Sequence, residues 1–417
     1  MASLQLEGDV DSLHSLQQQF LRDVLDKRGF KNNRVIIKTL GKAGDNFMAN
    51  VKRITVEKED GGVLNIVAKL ATTVEITRLT MSIKQVFENE RVVYQLLLPK
   101  FRKLQNEAGV PKEDLFHFPE CYGALTEAPY EMILLEDLNV YGYVMLDKQK
   151  YFSDEVVKLV LKDLATYHAL SFVLKQKEPA YYEDLKLKFF SSWSQGLKQE
   201  MFKNSYTVLL NDTISILDED KYTNILKDVF SKMRDHDANV ISKPSLPTNS
   251  IIQHGDAWTN NLLFLLRDEK PAECILIDYQ MATPASPVND LLFMIFYCTD
   301  YAARRTHYED WISYYYSQLD RSLNYFGLRA HTVYPRDQHS RELKSHSAFI
   351  LGLLILFSSM NARSSDEAAE MKDLMQSEKF VKDPDVMGVS HLSPKSLALF
   401  KSKVKGILDS YYDLGYI

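Results

Sequence analysis

The first third of the chain alternates short apolar runs with turns. Residues 1–30 carry apolar side chains at helical spacing and are predicted to form a helix that ends at Gly29. A long helix is predicted over residues 75–98, where Pro99 would stop it. Five strands are predicted from runs rich in β-branched and aromatic residues, at 35–40, 47–57, 63–70, 118–125 and 130–138. This order indicates a small α+β lobe with one main helix.

The pattern becomes mainly helical after residue 138. Ser153 or Asp154 is suited to cap the first strong helix of this part. The predicted elements are a helix at 154–174, several helices within 180–245, a β-hairpin at 262–278, and helices from 287 onward with loops near 328–338 and 362–392. We therefore predict two lobes, residues 1–138 and residues 139–417.

Composition narrows the class of protein. Hydrophobic residues make up 45% of the 417-residue chain and charged residues 25%, which is the balance of a globular protein. A net charge of −6 disfavours binding to nucleic acid or to an anionic membrane. The three cysteines form no CxxC pair, so neither a zinc site nor a disulfide framework is predicted.

The termini and the apolar runs carry no targeting signal. The N-terminal segment lacks an apolar signal core, and the longest apolar run, residues 348–357, is too short to span a bilayer. We therefore expect a cytoplasmic protein, monomeric, with no membrane and no nucleic acid among its partners.

A polar cluster at residues 254–261 lies between two apolar stretches and is predicted to be a tight loop facing a cleft. Asp256 in this loop is suited to accept a proton from a substrate hydroxyl. Asn261 and the strand-end Asp278 offer oxygen ligands of the kind that Mg²⁺ prefers beside phosphate groups. Such residues more often satisfy turn hydrogen bonds, but the hairpin that returns Asp278 to the loop favours kinase-type phosphoryl transfer.

Lys69 and Glu90 form a second candidate pair. Lys69 stands at the end of the third predicted strand, where a lysine is usually just solvated. Glu90 falls between Val86 and Val93 on the apolar face of the long helix. Because a buried carboxylate needs a cationic partner, Lys69 is the obvious one. A strand lysine held by a helix glutamate is how kinases orient the phosphates of ATP.

Two further segments are suited to a nucleotide. The turn at residues 41–46 contains Gly44, Asp45 and Asn46 and fits a loop that covers phosphates, although an ordinary hairpin loop is the commoner case. Neither a dinucleotide nor a Walker glycine motif is present. Glu136 and Leu138 stand where the last strand of the first lobe ends, and a connection there can offer backbone groups to adenine.

Nine short segments carry a family resemblance, and they lie at 44–47, 68–69, 89–90, 135–138, 167–169, 254–261, 277–280, 286–287 and 290–291. In this order the sequence resembles the insect ecdysteroid kinase-like family, close to choline-kinase-like and aminoglycoside-phosphotransferase enzymes. His-Gly-Asp-x-Trp-x-x-Asn at 254–261 is the specific motif. Phe47 and Tyr279 depart from the usual Tyr and Phe but keep an aromatic ring.

The resemblance implies a bilobal protein-kinase-like fold, with a five-stranded antiparallel sheet in the small lobe and a mostly helical second lobe. It also implies ATP-dependent, magnesium-supported phosphorylation of a small-molecule hydroxyl. His254 is then expected to brace the catalytic loop through its ring nitrogens, and Asp290 to tie down the loop or cap its helix. His168 is expected to pack or to form a local hydrogen bond, and Trp258 either walls the substrate pocket or packs.

Two alternatives are weighed against a small-molecule kinase, and the identity of its acceptor is left open. A catalytically silent kinase-like binding protein is disfavoured because Lys69, Asp256, Asn261 and Asp278 are all intact. A protein kinase is disfavoured because the chain lacks a Gly-x-Gly loop and an Ala-Pro-Glu segment. The acceptor itself stays open: the resemblance favours an ecdysteroid or another hydroxylated hydrophobic compound, and an amino alcohol such as choline would need an acidic and aromatic cage.

Overall fold

The computed structural model describes residues 4–40, 49–238, 250–379 and 383–417. Its strands are β1 (Gln5–Gly8), β2 (Arg34–Leu40), β3 (Ala49–Glu57), β4 (Val63–Ala71), β5 (Cys121–Leu125), β6 (Met132–Glu136), β7 (Tyr143–Met145), β8 (Ile251–Gln253), β9 (Leu262–Arg267), β10 (Lys270–Leu276) and β11 (Thr283–Ala285). Its α-helices are α1 (Ser15–Lys27), α2 (Glu75–Thr80), α3 (Ile83–Val92), α4 (Leu98–Glu107), α5 (Asp154–Lys177), α6 (Pro179–Lys186), α7 (Ser192–Gly196), α8 (Glu200–Leu217), α9 (Asp220–His236), α10 (Val288–Cys298), α11 (Tyr301–Asn324), α12 (Ala330–Val333), α13 (Arg336–Asn361), α14 (Ser365–Met375) and the C-terminal helix Pro394–Asp413. The predicted α+β class is confirmed.

The N-terminal sheet has six strands in the order β1-β2-β3-β4-β6-β5, not the five predicted. The additional strand, β1, pairs in parallel with β2, whereas the other neighbours are antiparallel. The predicted helix over 1–30 is therefore wrong in its first half, and α1 begins only at Ser15. Gly8 turns the chain at φ +82°, and Asp9 Oδ2 then accepts hydrogen bonds from the Thr39 N–H and hydroxyl (2.8 Å each). A four-residue strand is too short for its alternation to outweigh the helical period that follows.

The predicted helix over 75–98 is interrupted and also extends further than expected. Ser82, with φ 52°, separates α2 from α3, and a π-helical turn at Val93–Leu97 joins α3 to α4. Pro99 does not stop the helix, because it occupies the first turn of α4, where a residue without an N–H is tolerated. The helix continues to Glu107.

The C-terminal region is mainly helical with two small sheets. The predicted hairpin β9–β10 is present, and β7 joins it as a third strand. A second sheet pairs β8 with β11 and so brings the segments before and after the hairpin side by side. The predicted loop near 362–392 contains α14, which begins with a capping box at Ser364 and Glu367.

The helix α13 bears on the expectation that no segment of the chain spans a membrane. Within the described residues, α13 alone is long and apolar enough to cross a membrane by length and composition, because it extends the apolar run at 348–357 on both sides. Of its most apolar window, 72% is buried inside the protein, which is typical of a core helix.

Two hydrophobic clusters hold these elements together. The smaller one packs α1 on one face of the six-stranded sheet, with Leu21, Ile54 and Leu134 fully buried. The larger one, called here the shared core, begins at Ile133 and Leu135 on the sheet and continues through α3 and α4 into α5, α10 and α13. The sheet is thus packed on both faces, and one apolar cluster runs from it into the C-terminal helices.

Candidate active site

The loop after β8, residues 254–261, is fixed by its own backbone and by Asp290. Gly255 has φ +81°, and a Cβ at this position would lie 2.2 Å from the Met281 carbonyl oxygen, so only glycine fits. Asp290, on α10, accepts hydrogen bonds from the backbone N–H groups of His254 and Gly255 (2.8 Å each). His168 Nε2 donates to the same carboxylate at 3.0 Å. Asp290 therefore ties down the loop, one of the two roles expected for it.

The charge state of Asp290 follows from these donors. Burial alone would raise the pKa of its carboxyl, but the hydrogen bond from His168 and the nearby imidazoles and N–H groups outweigh burial and hold the pKa below its ordinary value. His168 is fully buried, and its Nδ1 lies 2.8 Å from the Tyr315 hydroxyl. His168 thus makes local hydrogen bonds, as expected.

His254 braces the loop through both ring nitrogens, as the sequence predicted. Its Nε2 lies 3.0 Å from the Ile277 carbonyl oxygen, so Nε2 carries the proton and donates. Its Nδ1 then accepts from the Asp256 N–H at 3.3 Å. Burial lowers the pKa of His254, which keeps the ring neutral and the tautomer defined.

Asp256 presents one engaged and one free oxygen. Its Oδ2 accepts a hydrogen bond from Asn261 Nδ2 (2.8 Å), and the same amide nitrogen donates to the Asp256 carbonyl (2.9 Å). Its Oδ1 is buried and makes no hydrogen bond of ordinary geometry, and neither does the indole Nε1 of Trp258, which lies close enough to lower the pKa of the carboxyl. Burial, together with the negative charge of Asp278, raises the pKa of Asp256 to about 7. A carboxylate in this setting is poised to take a proton near neutral pH.

Lys69, Glu90 and Asp278 form one ionic cluster. Lys69 Nζ lies 2.7 Å from Glu90 Oε2 and 2.7 Å from Asp278 Oδ1. Glu90 is 1% exposed, so the predicted burial of this carboxylate and its pairing with Lys69 are confirmed. Burial would lower the pKa of Lys69, but the two carboxylates outweigh it and raise the pKa above its usual value. Burial raises the pKa of Glu90 above its ordinary value, against the opposing effect of Lys69.

Asp278 sits at a backbone position that few residues adopt. Its φ of 64° lies in the left-handed region, directly before the short 3₁₀ turn Tyr279–Met281. The Ile277 N–H donates to the Asn261 carbonyl at 3.0 Å, so the ends of β9 and β10 hold Asn261 and Asp278 side by side. This strained turn aims the Asp278 carboxylate at Lys69.

Two amide side chains that the sequence reasoning gave no role complete this part of the site. Gln280 Oε1 accepts from Lys69 Nζ at 3.3 Å. Asn89, next to Glu90, donates to the carbonyls of Phe190 (2.8 Å) and Gln280 (3.2 Å) and accepts from the Phe190 N–H. The only signal for them in the sequence was their position, since both lie inside segments that carried the family resemblance.

The remaining predicted nucleotide contacts divide into two groups. Gly44, Asp45 and Asn46 lie outside the described residues. Glu136 ends β6, and its N–H donates to the Glu120 carbonyl at 2.8 Å. Leu138 is buried in a small apolar cluster with Tyr143, Leu263 and Ile275, at the connection between the two regions.

The oxygen donors fit a metal ion held jointly by the protein and a bound phosphate better than one held by the protein alone. Among the described residues, no group of three or more His, Cys, Asp or Glu is placed to hold a metal ion. Asn261 uses its Nδ2 on Asp256, which leaves its Oδ1 available, and Asp278 adds one carboxylate. One amide and one carboxylate leave positions open for phosphate oxygens and water, which is how Mg²⁺ is held beside nucleotides.

Comparisons with known proteins identify the family. The model of the ecdysteroid kinase-like family matches residues 43–328, more than two thirds of the chain. No curated protein matches the chain significantly. This match confirms the resemblance and the kinase class, a phosphotransferase acting on small molecules.

Solved structures with a similar arrangement include three phosphotransferases. Ethanolamine kinase from Plasmodium vivax is 13% identical, with 88% of this chain and 83% of that chain covered and a TM-score of 0.43. The GDP complex of wild-type aminoglycoside 2′-phosphotransferase-IIIa is 12% identical, with coverages of 93% and 98% and a TM-score of 0.42. Macrolide 2′-phosphotransferase from Brachybacterium faecium is 11% identical, with coverages of 86% and 97% and a TM-score of 0.37.

Proposed function

The chain belongs to the ecdysteroid kinase-like family, and we propose that it transfers the γ-phosphoryl group of ATP to a hydroxyl of a small molecule. The observation that carries this proposal is the buried, unpartnered Oδ1 of Asp256 beside the ionic cluster of Lys69, Glu90 and Asp278. A free carboxylate oxygen next to a phosphate-binding lysine is the arrangement that in-line phosphoryl transfer requires.

Asp256 acts as the general base. Its Oδ1 accepts the proton of the acceptor hydroxyl as that oxygen bonds to the γ-phosphorus and the bond to the departing ADP breaks. Asn261 holds the other oxygen of the carboxylate, so Oδ1 stays directed at the acceptor. The raised pKa of Asp256 is in the direction that favours this role, because burial makes the carboxylate a stronger base.

The remaining residues bind the nucleotide. Lys69 holds the phosphates, and Glu90 fixes the position of Lys69. Asn261 and Asp278 hold Mg²⁺, which when bound neutralises the charge that develops on the phosphate oxygens. The connection at Glu136 and Leu138 would offer backbone groups to adenine, next to the small apolar cluster that contains Leu138. In this assignment residues 1–138 bind the nucleotide, and residues 139–417 carry the catalytic loop, the metal-binding residues and the acceptor pocket.

The acceptor we favour is an ecdysteroid or another hydroxylated hydrophobic compound. The support is the family itself, together with the aromatic side chains of Trp258, Phe293 and Phe357, which pack on one another beside the catalytic loop. The cytoplasmic location and monomeric state expected from the sequence stay predictions.

The experiment is a phosphorylation screen of the full-length protein. Purified protein with Mg²⁺ and ATP is incubated with ecdysteroids, hydroxylated xenobiotics, choline and ethanolamine, and the products are measured by mass. We expect a gain of one phosphoryl group on a hydroxylated apolar compound. Asp256→Asn protein, which retains the shape of the site, is the matched control. Phosphorylation of choline or ethanolamine alone would replace the favoured acceptor, and phosphorylation of none would reject the kinase assignment.

A further inference from the structure

The buried amide of Asn89 joins α3 to two segments of the C-terminal region. Its Nδ2 donates to the Phe190 carbonyl oxygen at 2.8 Å and to the Gln280 carbonyl oxygen at 3.2 Å. Its Oδ1 accepts a hydrogen bond from the Phe190 N–H at 2.9 Å. Asn89 is fully buried, and both N–H groups of its amide are engaged, so bulk water does not compete for these contacts.

Phe190 lies between α6 and α7, outside any helix or strand. Regular secondary structure therefore supplies no partner for its N–H and C=O groups, and Asn89 satisfies both with one amide. The contacts also fix the orientation of that amide. Exchange of its nitrogen and oxygen would set N–H against N–H at Phe190 and oxygen against two carbonyl oxygens.

Gln280 lies in the short 3₁₀ turn beside the ionic cluster. Asn89 holds the Gln280 carbonyl, and the Gln280 side chain accepts from Lys69 Nζ at 3.3 Å. The next residue of α3, Glu90, lies close enough to the Tyr279 N–H for that group to lower the pKa of its carboxyl. Consecutive residues of α3 thus contact consecutive residues of the turn.

The position of α3 is not fixed by its neighbours along the chain alone. This ten-residue helix begins after Ser82, at φ 52°, and ends at the π-helical turn Val93–Leu97. Helices bend at such interruptions. Apolar packing holds α3 against the shared core, but such packing is non-directional and does not fix the rotation of the helix about its axis. The hydrogen bonds of Asn89 do fix it, and Glu90 is then held at Lys69.

We propose that Asn89 is a positioning residue for the nucleotide: its three hydrogen bonds hold α3 so that Glu90 stays within reach of Lys69. In this proposal Asn89 does not touch the nucleotide and acts through Glu90. The proposal rests on the proposed function, because Lys69 is the residue assigned there to the phosphates of ATP.

The first test measures nucleotide affinity without turnover. Full-length protein with Mg²⁺ and no acceptor is titrated with ATP by calorimetry. Asn89→Leu removes all three hydrogen bonds, and Asn89→Ala removes them with a smaller side chain, so it replaces the leucine variant if that one does not fold. Each is expected to bind ATP about tenfold more weakly than the wild type. Wild-type affinity in the folded variant would overturn the proposal.

Asn33→Leu is the matched control. Asn33 is also a buried asparagine, 9% exposed, and its Nδ2 donates to the Glu57 carbonyl oxygen at 2.8 Å. Glu57 lies at the other end of β3 from Val51, the register partner of Lys69. We expect this variant to lower the melting temperature without changing ATP affinity. An equal loss of affinity in the Asn33 and Asn89 variants would show general destabilisation and contradict a positioning role.

A double variant tests whether Asn89 acts through Glu90. Glu90→Gln is itself expected to weaken ATP binding about tenfold, because it releases Lys69. If Asn89 holds Glu90 in place, adding Asn89→Leu to Glu90→Gln should weaken binding little further. Losses that multiply to about 100-fold would reject the proposal, since the two residues would then act independently.

Hydrogen exchange, measured without nucleotide, shows whether Asn89 holds α3. In Asn89→Leu protein, peptides from α3 and from residues 187–191 should exchange faster than in the wild type, whereas Asn33→Leu should leave them unchanged. Wild-type exchange in both peptides of Asn89→Leu protein would refute the proposal. A wild-type protein that binds ATP but phosphorylates no compound of the screen would reject the proposed function alone, and one that binds no ATP would reject both.

Discussion

The two sides of the catalytic loop differ in how their polar groups are satisfied. On the side of the proposed nucleotide site, Lys69, Glu90 and Asp278 pair with one another at 2.7 Å. On the other side, at β8 and α10, the polar groups of Gln253 and Asn289 are uncharged, and each has one buried atom without a partner. The proposed nucleotide side thus has these polar groups paired within the protein, whereas the other side lacks hydrogen bonds that only a ligand or water can supply.

This difference would make the proposed nucleotide side general for phosphate groups and the proposed acceptor side specific for one ligand. Phosphate recognition needs fixed charge, and fixed charge in a buried place must be balanced within the protein. Acceptor recognition needs hydrogen-bonding groups that match one ligand, because leaving such groups unpaired is what rejects the wrong ligand.

The largest effect should come from removing a charge on the nucleotide side. In Asp278→Ala protein we expect Mg²⁺-dependent ATP binding to be lost and turnover to fall by about 10³-fold or more, because the carboxylate proposed to hold Mg²⁺ is removed. Lys69 keeps Glu90 as a partner, so the protein should stay folded. Calorimetry with ATP in the presence and absence of Mg²⁺ measures the loss. A wild-type dependence on Mg²⁺ in this variant contradicts the assignment of Asp278 as a ligand.

Asp256 stands between the two sides, and its variant tests the chemical step alone. Asp256→Asn keeps the shape and should keep the Asn261 contact, but it removes the proton acceptor. We expect turnover to fall by about 10²-fold or more with ATP affinity nearly unchanged. Steady-state kinetics and nucleotide titration measure the two quantities separately. Turnover at the wild-type rate would show that Asp256 is not the base.

A double variant tests whether the ionic cluster acts as a unit. Lys69→Met should lower activity strongly, and Glu90→Gln should do so by releasing Lys69. Because groups that act together do not contribute independently, the double variant should be little worse than Lys69→Met alone. A double-variant cycle on kcat/KM measures the coupling. Fully additive losses would reject the pairing as a functional device.

The smallest effect is expected from His339, an unpaired polar side chain that has no role in the proposed site. Both ring nitrogens of His339 are buried without a partner, and its ring lies among Tyr315, Tyr316 and Tyr334. His339→Leu should raise the free energy of unfolding by about 1 kcal/mol near pH 7 and leave acceptor binding unchanged. Urea unfolding and calorimetry measure these quantities. A loss of acceptor affinity in this variant would contradict the assignment of His339 as a residue outside the acceptor site.

The same variant should show a defined pH dependence. Burial lowers the pKa of His339 to about 4, below the value of about 6.5 expected in the unfolded chain. As pH falls from 6.5 towards 4 the unfolded chain takes up the proton first, so the wild type loses stability by up to about 1.4 kcal/mol per pH unit from this group. The advantage of His339→Leu should therefore grow between pH 7 and pH 5. A constant difference over this range would contradict the neutral, buried histidine.

The sequence predicted the charged residues of the candidate site but not the uncharged polar ones. The Lys69–Glu90 pair was predictable because a charge on an apolar helix face demands a partner, and Asp256, Asn261 and Asp278 lie close in sequence. Asn89 and Asn289 gave no signal of their own, because a neutral polar residue in a helix has many ordinary explanations. Their meaning depends on the packing of distant segments, which periodicity does not reveal.

The secondary structure, too, was only partly predictable from the sequence. Alternation and turns predicted the strands from β2 to β6, but β1 was hidden by the helical period of α1 next to it. Pro99 was interpreted as a stop because the π-helical turn that accommodates it has no signature in a single sequence. Elements were predictable where local preference and packing agree.

The shared core has a consequence for how the protein folds. Ile133 and Leu135 of the sheet belong to the same apolar cluster as the helices α5, α10 and α13, so a fragment of residues 1–138 would expose one face of its sheet and much of α3 and α4 to water. Such a fragment lacks the burial that an autonomous domain needs. We therefore expect residues 1–138 and residues 139–417 to unfold as one cooperative unit, and the proposed nucleotide site to form only after the C-terminal helices have been synthesised.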